Sequence, residues 1–82
     1  MKGQGNGKSG MTIDIDGTRY WYRDGVLHRE HGPAVEWNDG SREWWRHGEL
    51  HRDDGPAIER ADGSQEWWRD GQQETVSEQN QS

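Results

Sequence analysis

The chain repeats itself with a period of 23 residues. Residues 17–39 overlay residues 40–62 with 13 identities, and residues 63–71 match residues 40–48 at seven of nine positions. Residues 10–16 stand where the second half of a preceding copy would be. A short unit that recurs in this way is one supersecondary element, which buries its apolar side chains by stacking on its neighbours. The repeat therefore predicts an array of stacked units instead of a fold around one central core.

Turn signals divide every copy into short extended runs. One set of X-Gly pairs recurs as Asp24-Gly25, His47-Gly48 and Asp70-Gly71, and a second set as Asp16-Gly17, Asp39-Gly40 and Asp62-Gly63. Such pairs supply the positive φ angles that two-residue hairpin loops need. Because Gly32-Pro33 and Gly55-Pro56 divide the longer intervals, no stretch between consecutive glycines reaches the usual length of a helix. We therefore predict an all-β protein, an antiparallel meander of stacked β-hairpin repeats with about six or seven strands.

Aromatic rings must supply most of the apolar surface. Only 26% of the residues are hydrophobic and the chain has no Phe, but it has six Trp and two Tyr. Each ring can bury roughly 150–250 Å², which suits a thin, twisted sheet better than a sandwich. We predict a repeat domain at 11–73 (about two and a half repeats) between flexible tails, one Gly-rich at 1–10 and one polar at 74–82. The residues assigned to the repeat scaffold are Trp21, Trp45, Trp67, Trp68, Gly25, Gly48, Gly71, Pro33 and Pro56.

The turns also predict which side chains share a face of the sheet. Closing a two-residue hairpin at His47-Gly48 places Trp45 opposite Leu50. A two-residue loop at Asp39-Gly40 places Glu36 opposite Glu43, and two carboxylates in that position repel each other. Either this register holds in spite of the repulsion, or the loop is bulged.

The charge balance excludes several classes of partner. The formal net charge is −6, from 16 acidic and 10 basic residues. Proteins that bind duplex nucleic acid or anionic membranes usually present a basic surface, so neither partner is expected.

The chain has no Cys, which excludes disulfides and thiolate metal sites. It also has no apolar run of signal-peptide or membrane-spanning length, so the expected location is the cytoplasm, or the host cytoplasm for a phage-encoded protein.

No sequence pattern typical of an active site is present. The chain has no nucleophile motif, no Gly-rich phosphate loop and no pair of carboxylates that stands apart from the repeat. His28 with His31, or His47 with His51, could be imagined as metal ligands, but on strands and turns these spacings do not converge. We therefore predict no catalytic residue, no metal and no cofactor. A Trp-His-Arg surface could still stack a base and contact a phosphate, although recurrence with the repeat favours a structural role.

The repeat has the consensus G-[ST]-x-x-W-[YW]-R-x-G-x-L-H-R-x-x-G-P-A-[VI]-E-x-x-D over residues 17–62. This pattern resembles the MORN family of β-hairpin repeats. It is still more similar to short W-W-R-x-G-x-x-H-R-x-x-G-P-A repeats of small bacterial and bacteriophage proteins. The resemblance covers residues 11–73 and implies an elongated sheet that is used for protein or lipid contact.

Three functions are consistent with these features. The first is a non-enzymatic protein that binds a partner protein stoichiometrically, as a phage or mobile-element inhibitor of a host defence protein would. The second is a sponge for a nucleotide-type signal, and the third is a MORN-like structural or membrane-proximal scaffold. Exposed aromatic residues flanked by Arg are typical interface anchors. The candidate partner-binding residues are Trp37, Tyr20, Trp44, Arg42, Arg46, His51 and Arg52.

The same architecture predicts a homo-oligomer formed through edge strands. A short meander leaves two edges exposed, and an unprotected edge is a template for pairing with another chain. Residues 11–15 carry neither Pro nor Lys, the residues that usually blunt an edge.

Overall fold

The computed structural model describes residues 9–74, and every regular element in that range is a β-strand. All strand pairs are antiparallel. The all-β meander predicted from the turn spacing is therefore confirmed. The strands are β1 (Gly10–Ile13), β2 (Arg19–Arg23), β3 (Val26–Leu27), β4 (Val35–Glu36), β5 (Arg42–Glu43), β6 (Trp45–Arg46), β7 (Glu49–Leu50), β8 (Ile58–Glu59), β9 (Gln65–Arg69) and β10 (Gln72–Glu74).

Each repeat contributes strands to a continuous sheet and one hairpin arm. The sheet has the order β1-β2-β4-β5-β8-β9-β10, and β3 also pairs with β2. The arms are β2–β3, β6–β7 and β9–β10. Successive arms are hydrogen-bonded: the Gly48 N–H donates to the Leu27 carbonyl at 2.8 Å, and the Gly71 N–H donates to the Leu50 carbonyl at 3.0 Å. Each unit is therefore tied to its neighbour at two levels, through the sheet and through the arms.

The first set of X-Gly pairs forms two-residue hairpin turns. Trp45 pairs with Leu50, as predicted. Asp24, His47 and Asp70 have φ angles of 52°, 52° and 53°, and the glycine that follows each of them also has a positive φ. Two consecutive left-handed residues define the type I′ turn, whose twist matches that of the flanking strands.

The loop at Asp39-Gly40 differs from the two-residue prediction. Glu36 pairs with Arg42, the Trp37 N–H donates to the Ser41 carbonyl at 2.8 Å, and the Gly40 N–H donates to the Trp37 carbonyl at 3.0 Å. The loop therefore has three residues and places Gly40 at a φ of 94°, a common alternative to the two-residue turn. The extra residue shifts the register by one, so Glu36 faces a guanidinium instead of a second carboxylate.

This shift gives the two faces of the sheet different chemistry. On one face, which we call the charged face, a row of cross-strand partners alternates in sign over four residues and ends at a neutral one: Arg19, Glu36, Arg42, Glu59 and Gln65. On the other, the aromatic face, Tyr20 and Glu43 both pair with Val35, and Glu43 also pairs with Ile58. The buried residues are few: Ala34, Val35, Ala57, Ile58, Thr18 and His28.

The sheet extends one residue beyond the predicted repeat domain at each end. β1 begins at Gly10 and β10 ends at Glu74, whereas the predicted boundaries were 11 and 73. Of the predicted tails at 1–10 and 74–82, these two residues and Ser9 are described, and the rest lie outside the described residues.

An aspartate side chain stabilises the turn at each of the second set of X-Gly pairs. The Oδ1 atoms of these residues accept the backbone N–H two positions later, Asp16 from Thr18 at 3.0 Å, Asp39 from Ser41 at 2.8 Å and Asp62 from Ser64 at 2.9 Å. These backbone hydrogen bonds hold the pKa of all three carboxyl groups below the usual 3.8. The ionised form is therefore the one that the fold stabilises.

This pattern predicts that the protein loses stability in acid. Because the folded-state pKa values are depressed, the stabilisation is fully present above the unfolded value near 3.8 and is lost as the pH falls through the folded values. Melting temperatures followed by Trp fluorescence should therefore fall below about pH 4.

The matched control replaces the three aspartates by Asn, which keeps an acceptor oxygen that does not titrate. The triple variant Asp16→Asn/Asp39→Asn/Asp62→Asn should lose less of its melting temperature across the acid range than the wild type. An equal loss in both proteins would contradict the role given to these turns.

Candidate functional site

Three aromatic side chains lie together on the aromatic face of the first repeat. The Tyr20 ring meets the edge of Trp37 at a centroid distance of 6.4 Å and an interplanar angle of 73°, and it stacks on Tyr22 at 6.3 Å and 30°. The Trp37 side chain is 40% exposed, while both tyrosines are half-buried. We call Tyr20, Tyr22 and Trp37 the aromatic patch.

Carboxylates hold the polar ends of these rings. The Tyr20 hydroxyl donates to Asp14 Oδ2 at 2.9 Å, which raises the pKa of the Tyr20 phenol. Glu43 accepts two indole N–H groups, that of Trp37 at 3.1 Å and that of Trp45 at 2.8 Å. The ring of Trp37 is therefore fixed in place by its own nitrogen while part of its apolar surface faces outward.

The next repeat makes the same contacts with a different donor. Arg60 stands 23 residues after Trp37, and its guanidinium lies 2.9 Å from Glu66, the counterpart of Glu43. The Trp68 N–H donates to the other oxygen of Glu66 at 2.9 Å. Both bonds hold the pKa of Glu66 below its usual range, and the bond from Trp68 has the larger effect. In these two repeats the donor to the glutamate is thus supplied by either Trp or Arg.

On the charged face, each of two arginines is stacked on a tryptophan of the same repeat. The Arg29 guanidinium carbon lies 3.8 Å from the centre of the Trp21 ring, and that of Arg52 lies 3.8 Å from the centre of the Trp44 ring. Cation–π contacts of this kind contribute about 0.5–2 kcal/mol each, depending on exposure. They therefore act as the packing units of this face.

A glycine covers the opposite side of each guanidinium. A Cβ atom at Gly55 would lie 2.9 Å from the guanidinium carbon of Arg52, and one at Gly32 would lie 3.1 Å from that of Arg29. A side chain at position 55 would have to displace the guanidinium, and one at position 32 would crowd it and would also have to adopt a φ of 136°. These constraints account for the glycine of the Gly-Pro-Ala segment.

The stacked arginines also have several hydrogen-bond partners. Arg52 donates to the Pro56 carbonyl at 3.0 Å, to Glu59 at 3.1 Å and to Asp54 at 3.2 Å. Arg29 makes the same bond to the Pro33 carbonyl at 3.0 Å. Internal acceptors therefore already engage the Nε and one terminal nitrogen of Arg52 and one terminal nitrogen of Arg29.

Each repeat-unit histidine bridges two repeats. The His47 N–H donates to His28 Nδ1 at 2.9 Å, and the Asp70 N–H donates to His51 Nδ1 at 3.0 Å. Because Nδ1 accepts, the proton of a neutral ring lies on Nε2, which contacts Glu30 at 2.9 Å in the first case. Hydrogen bonding by the histidine holds the pKa of Glu30 below its usual range.

The predicted partner-binding residues occupy two separate places. The structure brings Tyr20 and Trp37 together in the aromatic patch. The others lie on or near the charged face: Trp44, Arg46, His51 and Arg52 line a cleft of about 410 Å³, and Arg42 belongs to the row of alternating charge. Arg46 is 3.4 Å from Asp53 at the rim of that cleft.

Sequence reasoning missed two members of the patch region, Tyr22 and Glu43. For Glu43 a signal was present, because a glutamate precedes the Trp-Trp pair in both later copies. Its double acceptor role depends on the three-residue loop, which brings the Trp37 ring onto the same face.

No family model, curated protein or solved structure matches this chain. The resemblance to the MORN family therefore stays a prediction. Within residues 9–74, no helix is long and apolar enough to cross a membrane. Nor does that part of the chain group three His, Asp or Glu side chains so that they could hold a metal ion.

The stacked guanidinium predicts a specific coupling between Gly55 and Arg52. A methyl group at position 55 must displace the guanidinium, so Gly55→Ala should destabilise the protein by about 1–3 kcal/mol. In an Arg52→Ala background the same change should cost much less, giving a coupling energy of about 0.5–3 kcal/mol. Urea unfolding of the four proteins, followed by Trp fluorescence, measures this cycle. Additive effects would contradict the stacking account.

Proposed function

We propose that this protein is a non-enzymatic binding module that engages a partner protein stoichiometrically through the aromatic patch. The observation that carries the proposal is the exchange of Trp37 for Arg60 at one repeat position. Both side chains donate to the equivalent glutamate, so the scaffold does not require an aromatic ring there. The exposed apolar surface of Trp37 is therefore available for a role outside the fold.

The chemistry of the patch favours a protein as the partner. Trp and Tyr are the side chains most enriched in binding hot spots, since they give large contact areas with few rotatable bonds. Hydrogen bonds to Asp14 and Glu43 already hold Tyr20 and Trp37 in position, which lowers the ordering cost of association. The surrounding carboxylates and the net charge of −6 fit an apolar pocket with a basic rim.

The nucleotide sponge is less well supported by the same contacts. A phosphate at the cleft would have to compete with Asp54 and Glu59 for Arg52. It would also meet His51, whose two ring nitrogens are engaged by the Asp70 N–H and by Asp53. An anion site without a carboxylate on each basic group would be more favourable.

We extend the proposal to inhibition of the partner. A chain of 82 residues that binds a surface of its partner and catalyses no reaction there would act by blocking that surface. The similarity of the repeat to those of bacteriophage proteins favours a host defence protein as the target. The MORN-like scaffold function has no contact of its own in its favour.

The test separates the ring of Trp37 from its hydrogen bond. Trp37→Arg installs the residue of the next repeat, so it should leave the melting temperature nearly unchanged and weaken partner binding by about 2 kcal/mol or more. Trp37→Phe keeps a ring but removes the donor, so it should retain most of the binding. Affinity capture from bacterial lysate with mass spectrometry identifies the partner, and calorimetric titration of that purified partner measures the three affinities.

Two results would overturn the proposal. One is unchanged affinity of the identified partner for Trp37→Arg. The other is a tight nucleotide complex that is lost in a folded Arg46→Ala variant, since that residue lies in the cleft and not in the patch.

A further inference from the structure

The two ends of the sheet carry strands whose counterparts pair with each other inside the sheet. Inside the sheet, β4 lies between β2 and β5, and β8 lies between β5 and β9. β1 stands one repeat before β4, with Thr12 and Ile13 at the positions of Val35 and Glu36. Within residues 9–74, however, β1 pairs with β2 alone. The outer edge of β1 corresponds to the edge through which β4 pairs with β2. It is therefore suited to pairing with a strand equivalent to β2.

The opposite end presents that strand. Tyr20 pairs with both Thr12 and Val35, and Tyr22 pairs with both Gly10 and Leu27, so β3 and β4 lie on the same side of β2. In the last copy β10 takes the place of β3, but no strand of the described chain takes the place of β4. Within residues 9–74, the first half of β9, Gln65 and Glu66, therefore has an uncovered edge.

We infer that two copies of the protein associate head to tail, with β1 of one copy pairing with the uncovered edge of β9 in the other. The register follows from the pairs Tyr20–Val35 and Arg19–Glu36 in the first interior interface. Shifted to the ends, this register places Thr12 opposite Glu66 and Ile13 opposite Gln65. Neither pair opposes like charges, whereas a slip of two residues would place Asp14 opposite Glu66.

A second contact follows from the stacking of the three-residue loops. The Asn38 N–H donates to Thr18 Oγ1 of the preceding loop at 3.3 Å, and the Ala61 N–H donates to Ser41 Oγ at 2.9 Å. The next hydroxyl in this series is Ser64, and the preceding N–H is that of Ile15. Between two copies, the Ile15 N–H of one would reach Ser64 Oγ of the other.

The apolar surface at the first end supports the same partner. Ile15 is fully exposed at 104%, Ile13 is 58% exposed and Met11 is 45% exposed. In the later repeats, the counterparts of Met11 are the buried Ala34 and Ala57, and those of Ile13 are the half-buried Glu36 and Glu59. A second copy seated on β1 would cover Met11 and Ile13 in the same way and remove apolar surface from water.

The contact joins different surfaces of the two copies, so a pair of copies still has one free surface of each kind. Head-to-tail addition leaves one free end on each copy and produces chains or rings, in contrast to a symmetric dimer. The interface lies at the strand edges, and the aromatic patch lies on a sheet face. This inference is therefore independent of the proposed function, and an assembly would present the patch once per copy.

Single cysteines test the arrangement directly, because the chain has none of its own. Ile13→Cys and Gln65→Cys proteins are mixed under mild oxidation and the products are identified by mass spectrometry. Head-to-tail pairing gives a 13–65 disulfide between copies. Within one copy, β1 and β9 are five strand spacings apart, about 24 Å, which exceeds the reach of a disulfide. Gln72→Cys, on the exposed β10 strand, replaces Gln65→Cys as the matched control and should cross-link poorly to position 13.

Charge variants test the association without a covalent bond. In Ile13→Lys/Gln65→Lys like charges face each other across the interface, and in Ile13→Glu/Gln65→Lys opposite charges do. Light scattering at increasing concentration should give a mass above that of a monomer for the wild type. The Lys/Lys protein should associate at least about tenfold more weakly than the Glu/Lys protein, with both showing the melting transition of a folded protein.

Three outcomes would overturn the inference. The first is a strictly monomeric wild type at high micromolar concentration. The second is a preference for 13–13 or 65–65 cross-links, which would indicate a symmetric dimer. The third is equal association of the two charge variants, which would place the contact elsewhere on the molecule.

Discussion

The packing of an arginine between a tryptophan ring and a glycine backbone is the interaction on which this thin sheet depends. The chain has too few aliphatic residues for a conventional core, and its described buried apolar set is limited to four small or branched side chains. Trp44 and Arg52 replace that core with a flat stack, and the guanidinium keeps its charge compensated by Glu59. A charge that is partnered and only partly buried avoids the desolvation cost that an isolated one would meet.

Stability is shared between neighbouring units because every unit uses atoms of the next one. His28 holds the turn at His47 through its ring nitrogen, and Leu27 holds Gly48 through its carbonyl. Such arrays behave as a sum of units and nearest-neighbour contacts. A unit at the end of the array therefore lacks one set of contacts, and the residues there must either be adapted to solvent or find a partner. The exposed Ile13 and Ile15 are not adapted to solvent.

The period and the turn residues were enough to predict the fold class, since Gly at fixed intervals leaves only short antiparallel strands. The loop at Asp39-Gly40 could not be assigned in the same way, because an Asp-Gly pair is compatible with loops of two or three residues. The repulsion between Glu36 and Glu43 was the one indication of the longer loop. The bridging role of His28 was beyond sequence reasoning, because its partner lies 19 residues away in another repeat.

Differences between copies distinguish the needs of the fold from those of a surface. A position that keeps the same residue and the same contacts in both copies, as Trp21 and Trp44 do with Arg29 and Arg52, is explained by the scaffold. At the position of Trp37 and Arg60 the hydrogen bond is the same and the side chain differs. The scaffold explains that bond, but it does not explain the choice of Trp. Besides that bond, the Trp37 ring makes an edge-to-face contact with Tyr20 and leaves part of its apolar surface exposed to solvent. This exposed part of the ring is the surface that the proposed partner would contact.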